Sequence, residues 1–467
     1  MRRNMSFTTT VLAIGILVLF STQNVKAGNL YASYLLLASS QPAPTTQNVN
    51  AGNLSGIYML LAPSQPVPTD PAQYKPYITG VTLRIPISKI ESTNGSWNWT
   101  YIDQSLATLQ GMGITKVKLD VMLGVDDQAP WVLTVPGIQT ANLWNKFIKS
   151  YTQMALPWDP IYISQVCIPM IDALAAKYAD DSRVVDIGMS GPTGTGELPM
   201  PQKVNGNDPY LIAAGYTPDK VYSAWKTVID EFAMDFGNTK CHFSLDLGVP
   251  YSTTDTITSL SADTINQAGT SLLNAIVNYA MAKIGSRLSL QQDGLNQNSN
   301  TTYAPDALIS ALSSARTASH PTGGSVNCGF QFTSSIYGQN QFGVSVGNYP
   351  QAFSAGSAMG GEYYEVYYQD MQNVITSVAI TSSGAGYSQA PSVSFSGGAP
   401  VSPAAAAATI SNGRVTGITV NNVGCGYCSI PSVTLTGTGT GATAAAIMEA
   451  PYDSVFTDEA QSLTAAY

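Results

Sequence analysis

Along the chain, short apolar or β-branched runs alternate with stretches whose apolar residues recur every three or four positions. Runs of the first kind at 78–86, 115–123, 184–189, 242–248, 287–292, 327–332 and 363–368 predict strands. Stretches of the second kind at 101–112, 163–179, 218–236, 262–283 and 305–316 predict helices between them. Such alternation over roughly 300 residues predicts an α/β chain closed as one (β/α)8 TIM barrel, here assigned to 74–371. No G-x-G-x-x-G follows the first run, which argues against a dinucleotide-binding sheet.

Beyond Asp370 the period changes to two. Val378 and Ile380 lead into Gly384-Ala385-Gly386-Tyr387 and Pro391-Ser392-Val393; Ile418 and Val420 lead into Gly424-Cys425-Gly426-Tyr427 and Pro431-Ser432-Val433. Alternating residues around glycine turns predict a small C-terminal all-β module of two repeats over 372–449, followed by a tail, 450–467. The units resemble the G-x-G-Y…P-x-V repeats of secreted and phage-borne surface proteins. That resemblance fits a carbohydrate-binding or spacer module and a passive appendage equally well.

The N-terminus has its own logic. Arg2 and Arg3 precede an uncharged apolar run at 11–20, and Val25-Lys26-Ala27 offers small residues at the positions a signal peptidase reads. The expectation is a signal peptide, 1–27, and a secreted or periplasmic protein. The run is too short for the ~20 residues that span a bilayer, so no stable membrane insertion is expected after cleavage. A Pro/Ser/Thr/Asn-rich duplication follows, in which Asn24-Val25-Lys26-Ala27-Gly28-Asn29-Leu30 recurs as Asn48-Val49-Asn50-Ala51-Gly52-Asn53-Leu54. With little periodic apolar surface, 28–73 reads as a linker.

Composition narrows the partners. Charged residues make up 10% of the chain and the net charge is -9, with no basic cluster beyond the first residues, so nucleic acid is not expected. Histidine occurs twice, at His242 and His320, and neither lies near Cys425 and Cys428, so no metal and no cofactor is expected. Five cysteines leave at least one thiol unpaired beside at most a local bridge. A G-x-S-x-G elbow is missing, which disfavours a serine hydrolase.

Barrel enzymes carry their chemistry on loops after the strand C-termini. The strand at 184–189 runs into Ser190-Gly191-Pro192-Thr193-Gly194-Thr195-Gly196-Glu197, a glycine-rich loop ending on a carboxylate. With the preceding Lys177-Tyr178-Ala179-Asp180-Asp181-Ser182-Arg183, this stretch resembles the fourth β/α step of the clan A glycoside hydrolases, retaining (β/α)8 families in which a Glu serves as general acid/base. Arg84-Ile85-Pro86, Glu91, Gly95, Trp97, Trp99 and Asp103, and then Leu119-Asp120 with Ala129-Pro130-Trp131, are similar to runs in the same barrels. The likeness covers roughly 78–197. It departs from the clan at Gly196, where an Asn is usual before the acid/base, and at Gln331, where the seventh strand usually offers the nucleophile.

The resemblance implies carbohydrate as substrate and Glu197 as acid/base. Glycosidic cleavage needs a second carboxyl to stabilise charge at the anomeric carbon. Glu365, in the tyrosine-rich last strand, is the expected nucleophile, with Asp293 and Asp246 in reserve. Trp131, Asp120, Asp246, Gln331, Asp293 and Tyr367 are expected to bind substrate, although aromatic residues near barrel loops are often core. Two functions follow: a secreted glycoside hydrolase cleaving poly- or oligosaccharide by a retaining two-carboxylate mechanism, or a non-catalytic extracellular polysaccharide-binding or surface structural protein on a degenerate barrel.

Overall fold

The computed structural model describes residues 54–61, 65, 67, 77–203, 208–237, 239–248, 271–319, 326–333, 346–400, 402–450 and 453–466. The expected signal peptide, and His320, lie outside them. Eight parallel strands close into a barrel: β1 (Gly56–Leu61), β2 (Gly80–Pro86), β3 (Val117–Met122), then, after the antiparallel hairpin β4 (Thr140–Asn145) and β5 (Ser150–Ala155), β6 (Val184–Gly188), β7 (His242–Leu247), β8 (Leu288–Leu295), β9 (Asn327–Phe332) and β10 (Tyr363–Tyr367). The barrel closes where Gly56 pairs with Tyr363 and Tyr58 with Gly80. Thr100–Gly111, Ile168–Tyr178, Pro218–Asp235, Ser271–Ile284 and Ala304–Ser319 supply the expected helices, the first nine positions of the fourth falling outside the described residues.

Side-chain direction follows the two-residue period of a strand. Val81, Leu83 and Ile85 of β2, Val117, Leu119 and Val121 of β3, and Phe243, Leu245 and Leu247 of β7 point outward into the helix-covered core. The alternate set points inward and is polar: Thr82 and Arg84, Lys118 and Asp120, Ser244 and Asp246, Gln291 and Asp293. Bonds across the ring, Thr82 to Glu365 and Arg84 to Asp293, show that these side chains meet in the middle. Barrel interiors are more often filled by branched apolar residues. Here charge fills the centre, and charge inside must be paired.

Two boundaries need correction. The 28–73 linker contains the first barrel strand: Ile57, Tyr58, Met59, Leu60 and Leu61 are fully buried, as a strand covered on both faces requires. At the other end, the expected tail 450–467 holds the helix Asp453–Ala466, which belongs to the barrel. Phe456 packs its ring against Tyr77, Tyr349 and Phe353, at centroid distances of 5.7, 5.3 and 6.2 Å.

Between β10 and that helix lies a second sheet of six strands, β11 (Val374–Ala385), β12 (Ser392–Ser396), β13 (Ala405–Ser411), β14 (Arg414–Asn422), β15 (Ser432–Thr436) and β16 (Thr440–Glu449), in the order β11-β16-β15-β12-β13-β14. Gly384 and Gly386 in one repeat and Gly424 and Gly426 in the other take φ from +59° to +80°, the left-handed turn that reserves these positions for glycine. None of the five cysteines is in a disulfide, Cys428 being exposed and the others buried, so Cys425 and Cys428 do not form the local bridge.

Candidate active site

The loop after β6 is built to present Glu197. Gly196 has φ +116°, and a Cβ there would collide with Ser190 Oγ, so the asparagine usual in the resembling families cannot stand at this position. Ser190 Oγ accepts from Leu123 N at 2.8 Å, and Gly191 N donates to Gly196 O at 2.8 Å. Trp225 Nε1 donates to Thr193 Oγ1 at 3.1 Å, and Thr193 Oγ1 donates to the Glu197 carbonyl at 2.5 Å. Leu198 N then bonds Asp246 O at 3.2 Å, which ties the loop to the end of β7. The Glu197 backbone is therefore set by a closed hydrogen-bond chain.

Arg84 stands at the centre of the barrel mouth among four carboxylates. Its Nε donates to Asp120 Oδ2 at 2.6 Å and its Nη2 to Asp293 Oδ2 at 3.4 Å; Nη2 is 3.7 Å from Asp246 Oδ2, and Nη1 is 4.0 Å from Glu197 Oε1. Glu197, Asp246 and Asp293 offer carboxylate oxygens within 4.8 Å of one another. A second cation arrives from outside the ring. Lys146, in the β4–β5 turn, places Nζ 3.4 Å from Glu197 Oε2 and 3.1 Å from Thr195 Oγ1. Asp120, Gly188, Ser190, Glu197, Ser244 and Asp246 line a cleft with about 10 Å³ of free space, enough for one water-sized group.

This arrangement separates the protons. Glu197 loses hydration on burial, but Lys146 and Arg84 more than offset that and hold its carboxyl below the usual range. Burial pushes Asp293 up to about 7, helped by the charges of Glu197 and Glu365 and opposed by Arg84. Asp246 is driven well above the ordinary carboxyl value by burial and by Asp293 and Asp120. At neutral pH the mouth therefore holds an ionised Glu197 next to an Asp246/Asp293 pair that retains a proton. Environments that push neighbouring carboxyls apart are how enzymes assign acid and base roles.

One layer deeper, Lys118 is the centre. Its Nζ lies 2.8 Å from Glu365 Oε1 and 3.5 Å from Asp186 Oδ2, and stands 4.2 Å from the centroid of the Tyr363 ring. Glu365 also accepts from Thr82 Oγ1 at 2.7 Å and from Gln291 Nε2 at 3.2 Å. With 1% of its surface exposed, against 17% for the Glu197 side chain, Glu365 is sealed in the floor and does not line the cleft. The expected nucleophile thus sits below the mouth, where both its oxygens are committed. The reserves, Asp246 and Asp293, are the carboxyls brought to Glu197.

The other expected binding residues divide. Asp120 lines the cleft, and Gln331 Nε2 donates to Tyr367 Oη at 3.2 Å near the Arg84 layer. Trp131 is packed in the core, its indole N–H donating to the Glu91 carbonyl at 2.7 Å, and is not a sugar platform. Trp97 stacks on Trp99, which meets Tyr178 edge-on outside the strand ring. Arg84, Lys118 and Lys146 join the site without having been among the expected site residues. For the first two the signal was present: Thr82/Arg84 and Lys118/Asp120 place polar residues at alternate positions in strands otherwise fully apolar.

A scan against models of protein families gives no match, and neither does a search against curated proteins. Among solved structures, the catalytic domain of β-amylase from Paenibacillus polymyxa is similar in fold, with a TM-score of 0.44 and 11% identity, covering 68% of this chain and 93% of that one. Endo-glycoceramidase II from Rhodococcus sp. gives 0.38 and 14%, covering 69% and 75%.

Proposed function

We propose that this barrel hydrolyses glycosidic bonds, with Glu197 and the Asp246/Asp293 pair as the two carboxyl groups. The observation that carries the reading is their approach within 4.8 Å at the C-terminal mouth, with opposite protonation. Oxygens that approach this closely favour the retaining geometry, with carboxyls about 5–5.5 Å apart, over the inverting one at about 6.5–9.5 Å. The roles differ from the expected ones. Ionised Glu197 attacks the anomeric carbon, and the proton held by Asp246/Asp293 goes to the leaving oxygen. Asp120 and Arg84 hold the acids in place. In the second step the aspartate pair takes a proton from water, whose oxygen bonds the anomeric carbon as the bond to Glu197 breaks, and both groups are restored.

Secretion is part of the same proposal, supported by the N-terminal pattern that ends at Ala27. A second reading, a non-catalytic polysaccharide-binding protein, is favoured by the water-sized cleft and by the ion pairs that occupy every carboxylate of the mouth. A panel of poly- and oligosaccharides separates the two. Hydrolysis is expected, with the product's anomeric configuration retained in the first NMR spectra. Inverted product contradicts the carboxyl pairing; binding without release of reducing ends from any substrate contradicts hydrolysis.

A further inference from the structure

The hairpin that carries Lys146 to Glu197 also builds an aromatic surface beside the mouth. Trp144 of β4 pairs with Tyr151 of β5, and Asn142 with Gln153, so these four side chains share one face of the ribbon. The other face, with Leu143 and Met154, is buried in the core. Trp144 meets Tyr151 edge-on at 5.3 Å between ring centroids, and Tyr151 lies against Tyr210 at 4.2 Å, the planes tilted by 32°. Tyr210 comes from the short helix Pro209–Ala213, in the segment that follows Glu197. Asp208, 1% exposed, fixes both tyrosines: its Oδ2 accepts from Tyr151 Oη and its Oδ1 from Tyr210 N, each at 3.0 Å. The same Oδ2 accepts from Lys203 N at 3.0 Å, and Lys203 Nζ stands 5.0 Å from the centroid of the Trp144 ring. Tyr210 is nevertheless 47% exposed. A ring held from behind by a second ring and by a buried carboxylate, yet open to solvent, adds little to the core and is prepared for a contact. Its position says with what. Trp144 stands two residues, roughly 7 Å of strand, before Lys146, whose Nζ is 3.4 Å from Glu197 Oε2.

We propose that Trp144, Tyr151 and Tyr210 form a platform for an extended, neutral, β-1,4-linked oligosaccharide leading away from the Glu197 mouth. This rests on the reading of the mouth as a sugar site. Pyranoses whose hydroxyls are all equatorial present bare C–H faces, and such a face stacks on an aromatic ring while the hydroxyls at its rim reach polar neighbours. Asn142, Gln153 and Lys203 are exposed beside the rings and supply those neighbours. An α-1,4-linked chain coils and offers no flat ribbon to the same surface. The rings stand outside the water-sized cleft, so a chain resting on them gains affinity and takes no part in the bond cleavage.

The test is calorimetric titration of the full chain, and of its Tyr210→Ala and Tyr210→Phe variants, with cellohexaose, xylohexaose and maltohexaose, the same mixtures being assayed for cleavage. Loss of one ring from the platform predicts that Tyr210→Ala binds whichever β-linked hexamer the parent binds about tenfold more weakly, while Tyr210→Phe, which keeps the ring, stays within about twofold. The melting temperature should not move in either variant, because the ring is exposed. Binding by Tyr210→Ala equal to the parent's, a loss in Tyr210→Phe as large as in Tyr210→Ala, maltohexaose bound as tightly as the β-linked hexamers, or no binding of any hexamer overturns the proposal. A fall in melting temperature that accompanies the lost binding marks the ring as packing and overturns it too. Cleavage of a hexamer with KM unchanged in Tyr210→Ala overturns it while hydrolysis stands; ring-dependent binding without cleavage keeps it and removes hydrolysis.

Discussion

Lys118 Nζ lies 2.8 Å from Glu365 Oε1, the shorter of its two ion pairs in the floor of the barrel beneath the mouth. Breaking one side of a buried pair leaves an uncompensated charge, at a cost of about 3–5 kcal/mol. Glu365→Gln should lower stability by up to that order in urea unfolding, and Lys118→Met should cost at least as much, because Lys118 also serves the buried Asp186 3.5 Å away. Folded Glu365→Gln protein should keep turnover within a few-fold. Abolished turnover in a folded variant would restore Glu365 as the nucleophile.

The helix Asp453–Ala466 completes the barrel from beyond the second sheet, so the chain's end is structural. Phe456 is fully buried among Tyr77, Tyr349 and Phe353. Phe456→Ala should cost about 3–5 kcal/mol in denaturant unfolding. A chain shortened to end at Glu449 should lose its sharp melting transition, and an unchanged transition would show that the barrel stands without this helix.

Much of this fold is legible in the sequence because β2, β3 and β6 to β10 carry apolar runs bounded by turn residues. β1 is not. Its Gly56-Ile57-Tyr58-Met59-Leu60-Leu61 lies in the second copy of a duplication whose surroundings are Pro, Ser and Thr, and a run of that length has no period by which to separate strand from linker. The tail helix was hidden by distance, since the strand it follows lies before the whole inserted sheet. At the site, the loop that ends on Glu197 is readable from its glycines, and Asp246 and Asp293 from their places at strand ends. Depth is what the sequence withholds. Glu365 and Asp293 both sit at inward strand positions, and only the stagger of neighbouring strands puts one in the floor and the other at the mouth. Lys146 reaches Glu197 from a hairpin 51 residues away in sequence, a contact without local signature.

Asp306, in the first turn of the helix Ala304–Ser319, offers a pH test outside the site. Burial pushes its carboxyl up to about 7, and its Oδ1 has no hydrogen-bond partner among the described residues. The native state therefore keeps a proton that the unfolded chain gives up near pH 4, so this group's contribution to stability falls as pH rises from about 4 to about 7. Asp306→Asn, which mimics the protonated form, should match the parent near pH 4 and melt roughly 2–4 °C higher at pH 8. Equal melting temperatures at pH 8 would show that the burial carries no such proton.

The central claim is that the Glu197 carboxylate performs the chemistry. Glu197→Gln keeps the shape of a side chain whose loop is fixed by Ser190, Thr193 and Gly196, so the melting temperature should change little. The most direct measurement is kcat of this variant beside the parent on whichever oligosaccharide the panel shows to be cleaved. A drop of at least ~10²–10⁴-fold with folding intact is the predicted result, the lower bound being that of a lost general acid or base. Turnover within a few-fold of the parent would contradict the account and leave the barrel's chemistry to other residues.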